Sequence, residues 1–157
     1  MKAFQIDNIK NFMKNLLIGD SFDNFLLEEA SIKTYNTFTI DGRIIPEYFD
    51  DYEFGYEFSL WKDIKPMCFD LIKGKILPVS FHFIMQLKSE EIERLLRLNS
   101  SNISPDVVKS FTLNIKYTNH QISLITATSF KTFVMDKSVD DLWDKYIEDF
   151  LKSASLT

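Results

Sequence analysis

Phe81-His82-Phe83-Ile84-Met85-Gln86-Leu87-Lys88-Ser89-Glu90-Glu91-Ile92-Glu93-Arg94-Leu95-Leu96-Arg97-Leu98, residues 81–98, is the stretch whose reading decides the fold. Val79, Phe81, Phe83, Met85 and Leu87 point one way and Ser80, His82 and Gln86 the other, the period of a strand with one buried face. At Ser89 the period becomes helical. Ser89 reads as the N-cap, Glu90 and Glu91 occupy the positively polarised first turn, and Ile92, Leu95 and Leu96 form an apolar stripe. A strand running straight into an amphipathic helix asks for a sheet to cover that stripe, which is the α+β class: antiparallel sheets packed by amphipathic helices.

The same order occurs near the start. Residues 3–6 are a short apolar strand, and residues 7–17 repeat Ile9, Phe12, Met13, Leu16 and Leu17 at three- and four-residue steps, with Asp7 placed as N-cap and Gly19 just past the end. β-Patterned sequence follows both helices. Residues 26–45 read as strands broken by a tight turn at Asp41-Gly42. Residues 111–118 and 122–128 read as a pair turning at Asn119-His120, with a last strand over residues 130–135. The finer expectation is a duplicated β-α-β-β-β unit within a single domain, 1–157, with repeats 1–76 and 77–135 and a closing helix 138–153. Residues 61–76 fit least well: Pro66 suits neither a helix interior nor a central strand, and residues 67–72 are expected as a strand ending at Gly74.

The closing helix carries the strongest signature. Ser138 with Asp141 has the spacing of a capping box, and Val139, Leu142, Trp143, Tyr146, Ile147 and Phe150 make its stripe. Asp140, Asp144 and Glu148 recur every four residues on the other side, where like charges repel by a few tenths of a kcal/mol. That face is expected to be solvated; the alternative is a basic partner.

A chain of 157 residues with 45% hydrophobic and 26% charged residues suits one globular domain with its own core. Its 15 Phe imply bulky packing or an adhesive face. A net charge of -5 disfavours a general nucleic-acid coat or an anionic-membrane surface. Cys68 is the one cysteine, so no intramolecular disulfide can form, and the plain reading of an apolar-flanked thiol is core filling. The N-terminal residues lack the apolar core of a signal peptide, no stretch reaches the length of a membrane span, and the expected location is cytoplasmic.

Chemistry-bearing constellations are thin. His82 points outward from a strand and His120 sits in a turn, so neither is placed beside Cys68 or a serine as a catalytic base. Two distant histidines and a cysteine do not have zinc spacing, the paired carboxylates Asp50-Asp51 and Asp140-Asp141 do not form a calcium loop, and Lys73-Gly74-Lys75 lacks the rest of a phosphate loop. No catalytic residue, metal or cofactor is therefore assigned. Residues 45–60 stand apart, with Tyr48, Tyr52, Phe54 and Tyr56 among five carboxylates and Trp61 just beyond. These five rings are the expected interaction surface, because aromatic residues are enriched at interface centres and polar ones at their rims.

Two basic helix faces give a second candidate: Lys10 and Lys14 on the first helix, and Lys88, Arg94 and Arg97 at the second. A repeated strand-helix unit with such charges resembles sliding-clamp domains, a likeness implying helices that face phosphates with sheets outside. Residues 61–75, 113–117, 128–133 and 136–144, together with Tyr35-Asn36-Thr37-Phe38-Thr39-Ile40-Asp41-Gly42, resemble an uncharacterised conserved protein family of clostridia-type bacteria. That resemblance spans nearly the whole chain; it implies a complete, bacterial, cytoplasmic protein and brings no activity. The first functional expectation is a non-catalytic binding or regulatory module whose partner is another protein or a second copy. A nucleic-acid-associated clamp-like module is the alternative and a small enzyme the third reading, with no membrane partner.

Overall fold

Strand and helix periods along the chain are realised as a seven-stranded antiparallel sheet with helices over one face, in a computed structural model that describes residues 1–50 and 53–156. The elements are β1 Ala3–Ile6, α1 Ile9–Leu17, β2 Phe25–Lys33, β3 Thr37–Asp41, β4 Ser59–Leu60, α2 Trp61–Ile72, β5 Ser80–Leu87, α3 Ser89–Leu98, β6 Val108–Thr118, β7 Gln121–Phe130 and α4 Ser138–Ser153. Their order across the sheet is β1-β7-β6-β5-β2-β3, and the short β4 shares the outer side of β2 with β3.

The alternation in residues 81–87 holds at every position: Phe81, Phe83, Met85 and Leu87 are buried while His82, Ile84 and Gln86 are half-buried on the other face. Both helix stripes are covered, through Phe12, Leu16 and Leu17 of α1 and Ile92 and Leu96 of α3. They join Trp61 and Cys68 of α2 and Val139, Trp143, Ile147 and Leu151 of α4 in one core cluster extending from Ile6 to Leu156. Trp61 stacks obliquely on Phe83 at 5.2 Å and donates its indole N–H to the Leu16 carbonyl at 3.0 Å, which ties α2 to both the sheet and α1.

One sheet forms where more than one was expected, and it is shared between the two strand-helix units. β1 pairs with β7 and β5 pairs with β2, so hydrogen bonds cross the boundary drawn between residues 76 and 77. Within the second unit β5 adjoins β6, whereas β1 is separated from β2 by three strands. The two helices have comparable covers but their strands have different neighbours.

Several local expectations are corrected. Residues 67–72 belong to α2: Pro66 and Lys62, the residue four before it whose carbonyl a proline leaves without its helical donor, are both exposed. Asp41-Gly42 is not a hairpin turn. The β2–β3 reversal is made by residues 34–36, where Thr34 N–H donates to the Asn36 carbonyl at 2.9 Å. Gly42 instead donates to the Glu28 carbonyl at 2.8 Å, at the bulge that shifts β2 against β5 between Leu27 and Glu29. Residues 130–135 do not form a strand of their own: β7 runs through Phe130, and Phe133 and Met135 are exposed. Asn119-His120 is a tight turn as expected, with φ of 51° and 60° at its two central residues, the left-handed pair that matches strand twist.

Helix caps shift by one residue. Asn8, not Asp7, caps α1 by accepting from the Asn11 N–H at 3.1 Å. Ser89 and Ser138 are the first residues of α3 and α4, and neither closes a side-chain cap; the Ser138 N–H is taken by Asp136 at 2.9 Å. The acidic row of α4 is not a solvated face. Asp140 and Asp144 accept from the hydroxyls of Thr128 and Thr126 on β7, Glu148 meets Lys2 at 3.2 Å, and the N-terminal amine lies 3.7 Å from Asp144. The basic partner for this row is the chain's own first residues.

Candidate functional surface

The loop between β3 and β4 is rooted before it is free to spread. Ser59 N–H donates to the Gly42 carbonyl at 2.7 Å, Ile44 N–H to the Glu57 carbonyl at 2.9 Å, and Arg43 bridges to Phe58 while its guanidinium meets Glu57 at 2.7 Å. Beyond this root the rings sort by distance from the core. Phe58 and Trp61 are buried, so Trp61, expected among the surface rings, is a core residue. Tyr48 is 82% exposed on a short 3-10 turn, Pro46–Phe49. Phe49, Phe54 and Tyr56 are half-buried. Tyr52 lies outside the described residues.

The described rings form a row on the protein surface. Tyr48 meets Phe49 edge-on at 5.4 Å, Phe49 stacks on Phe54 at 5.0 Å, and Phe54 meets Tyr56 edge-on at 6.0 Å. Glu47, Asp50 and Glu53 are exposed along it. Rings that pack on one another keep a shape without joining the core cluster, which gives an apolar patch with an acidic rim.

Tyr56 anchors the row to α3 by donating its hydroxyl to Glu90. That bond holds the phenol's pKa up to about 12, with partial burial and the Glu90 charge adding to it. Glu90 feels burial in the opposite sense, but hydrogen bonds from Tyr56, the backbone and Ser89, with the Lys88 charge, leave its carboxyl below the ordinary value. The lowered Glu90 pKa stabilises the fold above its unfolded value and is lost as pH falls through the folded one. The raised Tyr56 pKa stabilises below the ordinary phenol value and is lost as pH rises toward about 12. Tyr56→Phe is therefore expected to cost about 1 kcal/mol or less near neutral pH for so exposed a pair. The gap to the parent should narrow in both acid and strong alkali. Denaturant midpoints across pH check this, and a gap that stays constant would contradict the bond.

The basic faces are distributed differently. Lys10 and Lys14 are exposed on α1, and Arg94 and Arg97 are exposed on α3, with Lys88 half-buried before it. α4 lies near both helices: its Phe150 packs on Phe22, which packs on Phe12 of α1, and a shallow cleft of about 360 Å³ is lined by Leu95 and Asn99 on one side and Tyr146 on the other. Its exposed side carries Lys145 and Asp149, paired at 3.5 Å. Arg94 faces Glu91 at 3.7 Å. The helical face is thus one of alternating sign, not a continuous basic track.

Among the described residues the cysteine and the two histidines lie apart. Cys68 is fully buried on the helical side, and burial pushes its thiol up to about 12, so it stays protonated. His82 lies on the other sheet face, 3.0 Å from the Asn114 side-chain oxygen, and His120 is 3.4 Å from the Tyr117 hydroxyl. Among the described residues no group of three or more His, Cys, Asp or Glu could hold a metal ion, and no helix is long and apolar enough to cross a membrane.

These features define an α+β protein built on one antiparallel sheet, covered by helices on one face and carrying a ringed acidic loop at one end. The chain belongs to a family of unknown function, DUF5721, whose model matches residues 15–157. No curated protein and no solved structure matches it. This agrees with the expectation of an uncharacterised family; the clostridial source and the sliding-clamp likeness gain no support from the comparisons.

Proposed function

We propose that this protein is a non-catalytic binding module that acts through protein contacts, with the row Tyr48, Phe49, Phe54 and Tyr56 as its docking surface. The observation carrying the reading is that row itself, stacked ring on ring outside the core and rimmed by Glu47, Asp50 and Glu53. A partner with basic and apolar side chains would cover the rings and meet the carboxylates. Selection from a displayed random-peptide library at physiological salt should return basic, apolar ligands. Binding should weaken about tenfold or more in folded Tyr48→Glu or Phe54→Glu. Ligands whose affinity ignores both substitutions would overturn the reading.

Duplex DNA is expected to give no salt-dependent binding, since Glu90, Glu91 and Glu93 share α3 with Arg94 and Arg97. A mobility shift at low salt that is lost in Lys14→Glu or Arg94→Glu would favour the nucleic-acid alternative.

A further inference from the structure

The end of the sheet opposite the acidic loop has the complementary character. There the β2–β3 turn and the segment between α2 and β5 enclose an open groove of about 550 Å³ lined by Tyr35, Leu71, Lys73, Lys75, Ile76 and Leu77. Tyr35 is 89% exposed and Ile76 87%, so its apolar lining lies open to solvent. In its lining Lys75 is exposed and, among the described residues, forms no ion pair, while Lys73 meets Asp70 at 3.0 Å; Lys33 and Lys116, exposed and likewise without an ion pair, line a separate cleft beside His82 at the same end of the sheet. In a chain of net charge -5, this is a local reversal of sign.

The two surfaces lie at opposite ends of the same strands. Lys33 of β2 pairs with Ser80 at the groove end, and Phe25 of β2 pairs with Leu87, next to α3 and the loop anchor Glu90. Eight residue steps of β2 separate these two pairs, about 26 Å at roughly 3.3 Å per step. One fold therefore presents aromatic rings among free carboxylates at one end and an apolar groove among free lysines at the other.

We propose that a second copy of this chain is the partner: the exposed Tyr48 of one copy enters the Tyr35–Ile76 groove of the next, with Glu47 and Asp50 meeting Lys75 in the groove and drawn by the field of Lys33 and Lys116 in the cleft at the same end. This rests on the docking role given above to the acidic ring row. Like ends do not mate, because lysines would face lysines or carboxylates face carboxylates. The contact is heterologous, and heterologous contacts close into rings or extend as chains. Opposite charges also steer the two ends together and set their register.

Solution mass across a concentration series, on the full chain, tests it. The parent should self-associate, less so at high salt. Tyr48→Lys and Ile76→Glu should each raise the apparent dissociation constant about tenfold or more. The two variants mixed should associate with each other, since one keeps the groove and the other keeps the ring row. Both positions are exposed, and circular dichroism confirms folding; Glu47→Lys and Lys75→Glu serve as a second pair. A parent that stays monomeric at low salt, a variant that self-associates like the parent, or a mixture no heavier than its components overturns the proposal. If selected basic peptides still bind the ring row in that event, the binding module stands and only its partner is wrong.

Discussion

Trp143→Ala (W143A) is expected to destabilise the protein by about 3 to 5 kcal/mol, the usual cost of truncating a fully buried large aromatic. Trp143 has no exposed surface; it stacks on Phe111 of β6 at 5.3 Å and on Tyr146 of its own helix at 5.5 Å. Its indole N–H donates to the Thr112 carbonyl at 2.9 Å. Truncation removes the transfer free energy of the ring, leaves a cavity between helix and sheet, and takes away that carbonyl's side-chain donor. Urea or guanidinium melts measure the loss. Trp143→Phe, which keeps a ring against Phe111, should lose less, and a W143A loss below about 1 kcal/mol would mean that α4 packs only peripherally.

Gly42→Ala is expected to cost about 3 kcal/mol, beyond what its single methyl suggests. A Cβ built at Gly42 would lie 1.9 Å from the Leu27 carbonyl oxygen and 2.8 Å from its carbon. Both are main-chain atoms of β2 at its bulge, where a flexible side chain cannot swing aside, so the strand must move or the loop root must detach. The same shift would disturb the Gly42–Glu28 and Ser59–Gly42 hydrogen bonds that hold the loop's base. Gly55 gives the contrast: nothing lies within 4 Å of its Cβ, and its φ of 89° makes alanine costly only through backbone strain, about 1 kcal/mol. Midpoints for the two variants should differ in that order. Equal small losses would show that β2 yields at the bulge.

What was legible in the sequence tracks how local the governing physics is. Strand alternation in residues 81–87 and the stripes of α1, α3 and α4 are intrinsic periods, and a residue facing a sheet or a solvent is set by its position in that period. Pro66 misled because a proline penalty is read locally, while the helix around it is held by Trp61 and Cys68 in the core. Asp41-Gly42 misled for a related reason. The dipeptide has the composition of a turn, but its glycine answers to the backbone of Leu27 and Glu28 in β2.

The candidate surfaces divide in the same way. Residues 45–60 were recognisable as acidic and aromatic, and Tyr48 and Phe54 do lie outside the core; no period separates them from Trp61, whose burial comes from α1 and β5 packing over it. The acidic row on α4 was visible as a spacing, yet its partners, Thr126, Thr128 and Lys2, are supplied by β7 and by the residue just before β1. The groove between Tyr35 and Ile76 had no signal in the sequence, because its two walls are 41 residues apart and meet only when β2 pairs with β5.

By itself, then, the sequence determined the class of the fold, the faces of its helices and the composition of one surface, since each of these is a property of neighbours along the chain. Strand order, the merging of two strand-helix units into one sheet, the sorting of rings between core and surface, and the basic groove at the far end were decided only by the tertiary structure. They depend on which distant segments exclude water together, and that choice is made by the packing of the whole core.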